Sequence, residues 1–323
     1  MENTMKRFAS LLTAAALSLT SLAAHAAWPD HSVRFIVPFP AGGPSDAAMR
    51  VVAKRLGELW GQPAVVENRP GAPGIVVAAS APADGYTFVL GAGSHMVTAP
   101  LMNPKLAYKP QRDFVPVSLL LTNTPVLTVH PSLKVKTLKD LISYAKAHPG
   151  ELNYSSAGNG SPSHLMMEMF NDITGTKMTH IPYRGGAPSV QELLAGHVQL
   201  GINATPTVLQ YVNTNKLTPL AVASARRDAS MPNVPTMTED GVPNFDYQIW
   251  YGIFAPANTP AAIVAKLSTD MQKLLAEPAI VQQMRAQGAD AKGSTPQAFS
   301  RMVQADTAAW GKLIQEKKLS LDE

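Results

Sequence analysis

"VRFIVPFPAGGPSD", residues 33–46, sets the apolar run Val33-Arg34-Phe35-Ile36-Val37 against a loop holding two glycines and a Ser-Asp pair. A helical pattern follows, with apolar residues at Ala48, Val51, Val52, Leu56 and Leu59. Strand, glycine-rich turn and helix in that order open an α/β unit. Glycine lets backbone approach a ligand closely, and a helix N-terminus presents unpaired N–H groups that favour an anion. Ser45 or Asp46 is the expected N-cap of the helix that runs to Trp60.

The same alternation continues on both sides of this stretch. Residues 64–67 and 86–90 read as strands, and between them "GAPGIVVAAS" turns helical. Strands at 117–121 and 126–129 are separated only by "TNTP", too short for a helical crossover, so the chain is expected to change sheet there. A second α/β unit follows: helix 137–147, strand 152–155, a helix from Pro162, strand 178–182, a helix from Ala187, strand 198–202, a helix from Pro206 and strand 217–223. After the Pro-rich "SMPNVPTMTEDGVPNF", strand 250–255 and helices at 260–275, 278–287 and 296–318 return to the first unit. The expected architecture is α/β: two domains with largely parallel sheets, joined by two crossovers around a cleft. The expected segments are 1–26, 27–124, 125–224 and 225–323, with hinges at 122–125 and 223–248.

Lys6-Arg7, an apolar stretch from Phe8 to Ala23, and Ala24-His25-Ala26 fit an export signal cleaved before Ala27. Glu2 is out of place in a positively charged leader, which points to initiation at Met5 rather than Met1. N-terminal sequencing of the precursor answers that question. Cysteine is absent, so no disulfide, thiolate metal site or lipid-anchoring cysteine exists. Without the leader's Lys6, Arg7 and Glu2, the net charge falls from +4 to +3. The basic residues are dispersed and not interleaved with aromatics, so nucleic acid is not indicated.

Five loops fall at the carboxyl ends of predicted strands, where ligands bind in open α/β sheets. They are "PFPAGGPSD", "GAGSH" with Ser94 and His95, "SSAGNGSPSH" from Ser155 to His164, "YRGGAPS" with Arg184 and Gly185, and "NATP" with Asn203 and Ala204. Hydrogen bonds to a charged partner contribute about 1.5 to 3 kcal/mol each, and micromolar affinity needs roughly 8 kcal/mol. A few donors around one carboxylate approach that total. Enzyme signatures are missing: no phosphate loop, nucleophile elbow, dinucleotide fingerprint or H-E-x-x-H. The histidines at 31, 95, 130, 148, 164, 180 and 197 have no metal-ligand spacing, so neither metal nor cofactor is expected. His95 and His164, which close cleft loops, are the two considered as ligand contacts.

The chain resembles the substrate-binding proteins of the tripartite tricarboxylate transporter family, also called the Bug family. The resemblance runs from about Trp28 to near the C-terminus. It rests on "RFIVPFPAGGPSD", "VVENRPGAPG", "APADGYTFVLG", "HPSLKVKTLKDLISYAKAHPGELNYSSAGNGSPSHL", "HIPYRGGAPSVQELLAGHV", "AVASARR", "PNVPTMTEDGVPNF" and "WYGIFAPANTP". It implies a periplasmic two-lobe clamshell of the type II-like binding-protein class, which delivers a small carboxylate to two integral membrane subunits of an ion-driven secondary transporter. It also implies a ligand carboxylate held between the first-lobe and second-lobe glycine-rich loops. Those roles carry onto Phe39, Ala41, Gly42, Gly43, Ser45 and Asp46, and onto Ser156, Gly158, Asn159, Gly160 and Ser161. Asp46 is expected to orient its loop, since a bare carboxylate would repel an anionic ligand.

Two departures bear on selectivity. Ile75 follows "PGAPG" where the family commonly has asparagine, and Asn203-Ala204-Thr205-Pro206 replaces a frequent D-N-x-P. Losing that acid argues against a ligand ammonium group, because a buried cation wants a charged partner. The expected ligand is a carboxylate or dicarboxylate without an amine, aliphatic or aromatic, with Ile75, Gly201 and Ala204 leaning towards an apolar body. Arg184 is a candidate partner for a distal carboxylate. A monomer is the default for delivery to a membrane partner. Competing readings are a ligand-presenting component of a membrane sensor, which neighbouring genes would distinguish, and an enzyme on a similar two-lobe fold, which turnover of bound ligand would reveal.

Overall fold

The computed structural model describes residues 28–243, 245–317 and 319. The expected leader, its cleavage before Ala27 and the choice between Met1 and Met5 lie outside the described residues.

The first sheet begins with β1 (Val33–Val37), α1 (Pro44–Trp60), β2 (Ala64–Asn68), α2 (Ala72–Ala79) and β3 (Thr87–Ala92), and β4 (Phe114–Asn123) carries the chain out of it. One residue later β5 (Pro125–Val129) opens the second sheet. There follow α3 (Leu138–Ala147), β6 (Asn153–Ser156), α4 (Pro162–Thr174), β7 (Thr179–Pro182), α5 (Gly186–Leu194), β8 (Leu200–Ala204), α6 (Thr205–Asn213) and β9 (Thr218–Val222). The chain returns through β10 (Ile249–Pro256), α7 (Ala261–Leu275), α8 (Pro278–Ala286), β11 (Asp290–Ala291) and α9 (Pro296–Lys317). The sheet orders are β11-β4-β10-β3-β1-β2 and β7-β6-β8-β5-β9. This is the mixed α/β, two-lobe fold, and "TNTP" is the point where the chain changes sheet.

The sheets are mixed, which corrects the expectation of largely parallel ones. β1 pairs in parallel with β2 and β3, and β6 with β7 and β8. β10 is antiparallel to β3 and β4, and β5 to β8 and β9. The cause is connectivity. β1, β3, β4, β6, β8 and β9 run towards the side where the chain passes between lobes, so a strand that enters a lobe from that side must run the other way.

Both faces of the first sheet are covered. Phe35, Phe88 and Leu90 pack with Met49, Val52 and Leu56 of α1 and with Leu267 and Met271 of α7. Ile36 and Val89 face the cluster that holds Ile75 and Ala78 of α2 and Trp310 and Ile314 of α9. A strand buried on both faces reads as a continuous apolar run, as β1 does. The second crossover is wedged between the lobes: Tyr247 lies 4.8 Å from the Trp310 ring, and its hydroxyl meets Met169 Sδ of α4 at 3.2 Å.

Candidate functional site

Each glycine-rich loop leaves the cleft-side end of its strand. In the first lobe Pro44 is the first helical residue of α1, and Gly43 is the N-cap, not Ser45 or Asp46. Proline lacks the N–H that a helix start leaves unpaired, so the helix begins two residues earlier than a Ser45 cap and three earlier than an Asp46 cap would place it. Asp46, 2% exposed, reaches back instead: Oδ2 accepts Gly42 N–H at 2.9 Å and Arg50 Nε–H at 3.0 Å, and Oδ1 accepts Asn68 Nδ2–H at 2.8 Å. Burial opposes its charge, but the bonds from Arg50, Gly42 and Asn68 outweigh it and hold the carboxyl below its ordinary range. Asp46 thus shapes the loop from beneath. Ser45 is also buried, while Ala41 and Gly42 are exposed and Phe39 and Gly43 partly so.

Beside this loop, Ser94 and His95 sit in a π-helical turn, Ser94–Thr98. The Phe39 ring meets His95 edge-on at 5.1 Å and Tyr251 at 5.4 Å. All three residues are partly buried, and their rings form one aromatic wall at the cleft end of the first sheet. Burial pushes the His95 imidazole down to about 4 and the Tyr251 phenol up to about 12. His95 is therefore neutral at physiological pH, and its Nδ1 is buried without a hydrogen-bond partner among the described residues.

In the second lobe the loop after β6 is built on internal bonds. Ser161 is the N-cap of α4 and accepts His164 N–H at 3.3 Å, and Ser163 Oγ accepts Ala157 N–H at 3.0 Å. Ser156 Oγ accepts Gly158 N–H at 3.1 Å and lies 2.6 Å from His180 Nε2. His164 Nδ1 accepts Gly160 N–H at 3.1 Å. The side chains of Ser156, Ser161 and His164 are thus turned into the loop's support, whereas Gly158 and Asn159 keep exposure.

The remaining candidates divide in the same way. Arg184 is exposed, and Gly185 and Ala204 are partly exposed near the N-termini of α5 and α6. Asn203 is buried, with Nδ2 unpartnered among the described residues. Ile75 is fully buried in the core, and Gly201 lies against β6, where a Cβ would stand 2.8 Å from Ser155 Oγ. Neither offers surface to a ligand, which corrects their assignment to an apolar lining. Two small spaces lie where the lobes meet. One of about 160 Å³ sits at the hinge beside Thr122, Thr124, Asp228 and Arg285. The other, about 10 Å³ between Ser45, Asn123 and Pro206, has room for one water.

The matching family model is described as the tripartite tricarboxylate transporter family receptor, and it covers residues 48–319. The chain belongs to this family. The glycine-rich loop of the first lobe falls just before the matched segment. Protein BugT of Bordetella pertussis is 36% identical over 293 residues, 90% of each chain. Among solved structures, Rpa4515 of R. palustris with adipate is 36% identical with a TM-score of 0.86, covering 91% of this chain and 99% of that one. MatC of Rhodopseudomonas palustris with bound malate is 31% identical with a TM-score of 0.80, covering 89% and 100%. Receptors of this family are periplasmic solute-binding proteins.

Sequence reasoning missed His180, Tyr251 and Asn123. His180 was one of several histidines without spacing; only the parallel register, which sets it beside Tyr154, brings it under the loop. Tyr251 was hidden in a strand whose neighbours could not be named without the sheet order. Asn123 ends β4 with its Oδ1 buried and unpartnered among the described residues, and nothing in "TNTP" marks it.

Proposed function

We propose that this receptor captures a small carboxylate or dicarboxylate without an ammonium group and delivers it, as a monomer and without turnover, to two integral membrane subunits of a secondary transporter. The carrying observation is the pair of glycine-rich loops, one per lobe, each at a strand's cleft end and each leading into a helix N-terminus. A carboxylate between them meets N–H groups from both lobes, so it favours the closed arrangement by contacts made only there. The adipate and malate complexes of the two relatives support this ligand class. Asp46, the acid of the first-lobe loop, already holds three donors, so it is not free to pair with an ammonium group. Arg184 at the exposed rim suits a distal carboxylate.

The proposed lobes are 27–124 with 225–323, and 125–224. The test is thermal denaturation of the protein against aliphatic dicarboxylates, tricarboxylates, aromatic carboxylates and amino acids. A ligand that binds only the folded state raises the midpoint once its concentration exceeds Kd. Stabilisation by amine-free carboxylates is the expected outcome, and stabilisation by amino acids alone would refute the selectivity.

A further inference from the structure

We propose that His164 and His180 are positioning residues that hold the second-lobe loop in its ligand-competent form only while both rings are neutral, so that acidification releases ligand. This rests on the reading of the cleft as a carboxylate site.

The two imidazoles are stacked with centroids 3.8 Å apart and planes 9° from parallel, and Tyr154 stacks on the other face of His180 at 5.0 Å and 21°. The stack lies directly under the loop and is bonded to it at two points, through Ser156 Oγ to His180 and through Gly160 N–H to His164. Gly160 has φ of 71°, a left-handed conformation, so its N–H is aimed by a backbone shape that few other residues adopt. Because Gly160 donates to Nδ1, the neutral His164 ring must carry its proton on Nε2. A second proton can go only to Nδ1, the atom that accepts the loop's N–H. Protonation therefore turns an acceptor into a donor facing a donor, and the Gly160 end of the loop is let go.

The surroundings oppose that charge in the loop-bound state. Burial lowers the affinity of His164 for a proton, and burial followed by the facing His164 lowers that of His180 to about 3. The charged and titratable groups facing the pair are Glu168 from α4, which favours a charged His164, and Tyr154 from β6, whose hydroxyl donates to Glu168 Oε1 at 2.5 Å. Tyr154 thereby takes up part of the carboxylate that would otherwise stabilise a cation. His164, the ring with an acid beside it, is the first to charge. Two imidazolium ions 3.8 Å apart would repel, so the pair takes at most one proton over the range where the loop matters. Both rings bind a proton less readily in the folded protein than in the unfolded chain. Their neutral state contributes its full stability above the unfolded value of about 6.5, and the loop is lost as pH falls from there through the lowered folded value of His164.

The test follows the ring nitrogens of His164 and the Gly160 amide by NMR from about pH 8 to about pH 5. Alongside it, calorimetry measures adipate and malate binding over the same range, with His164→Asn as the reference that carries the ligands' own carboxyl titration. The expected result is an Nε2–H tautomer at high pH, then loss of Gly160 amide protection as Nδ1 protonates, with affinity falling by up to about tenfold per pH unit. His164→Asn places an uncharged oxygen near the Nδ1 position, so it should bind within about threefold of the parent at pH 8 and lose the pH slope. His164→Leu removes the acceptor and should bind about tenfold or more weakly at every pH. Affinity that rises on acidification, a pH slope that survives His164→Asn, or a proton on Nδ1 at pH 8 would each overturn the proposal. If neither probe binds, the carboxylate reading fails, and the ring and amide titration alone judges the loop switch.

Discussion

Replacing Asp46 with alanine removes one buried carboxylate and takes the acceptor from three donors. Gly42 N–H at 2.9 Å and Asn68 Nδ2–H at 2.8 Å lose a charged acceptor, and such bonds contribute about 1.5 to 3 kcal/mol each. Arg50, whose side chain is 51% exposed, can turn to water and keeps its 2.7 Å bond to Asn68, so it adds at most about 1 kcal/mol. The cost of burying the carboxylate offsets part of this, leaving an expected loss of about 2 to 4 kcal/mol at pH 7. The carboxyl's pKa is lower folded than unfolded. The parent's advantage is therefore full above the unfolded value of 3.8 and disappears as pH falls through the folded one. Denaturant titrations of parent and Asp46→Ala at several pH values read both quantities. A loss below about 1 kcal/mol at pH 7, or one that does not shrink in acid, would refute the argument. Adipate affinity should fall together with stability, since the freed N–H belongs to the exposed end of the loop.

Asp306→Asn should stabilise the protein by about 1 kcal/mol at pH 7. Burial raises the Asp306 carboxyl despite the 2.5 Å bond from Trp250 Nε1, asparagine keeps an acceptor without the charge, and the gain should vanish below the ordinary carboxylate range. Gly288→Val should weaken adipate binding more than it lowers the melting temperature. Gly288 has φ of 75°, and a Cβ there would stand 3.0 Å from Thr205 Cγ2 and 3.2 Å from Pro206 N, props that would hold the lobes apart. Equal effects on both readouts would place the damage in the fold, not in closure. Asn203→Asp puts an unpaired buried carboxylate at the end of β8, so calorimetry should show amino acids gaining affinity relative to dicarboxylates.

The elements were legible because their signals are local. β1 and α1 show a buried run and a helical repeat, and Thr137 caps α3 with Asp140 answering from the third helical position. "TNTP" could be placed as a change of sheet because too few residues separate the two strands for a crossover. Strand direction was not legible, since it depends on which side the chain enters each lobe from. The same limit applied inside the site. "SSAGNGSPSH" marked the loop, but which of its side chains face inward follows from bonds to residues far away in sequence. His180 is 24 residues from Ser156 and 2.6 Å from its hydroxyl.

The sequence alone determined the α/β class, the order of elements and the five loops that end at strand tips. Each depends on residues within one turn or one strand, and the family motifs preserve their order. Only the tertiary structure separated exposed loop backbone from supporting side chains, placed Tyr251 beside Phe39 and stacked His164 on His180. Those relations depend on sheet order and register, which pair residues far apart in the chain that no local pattern connects.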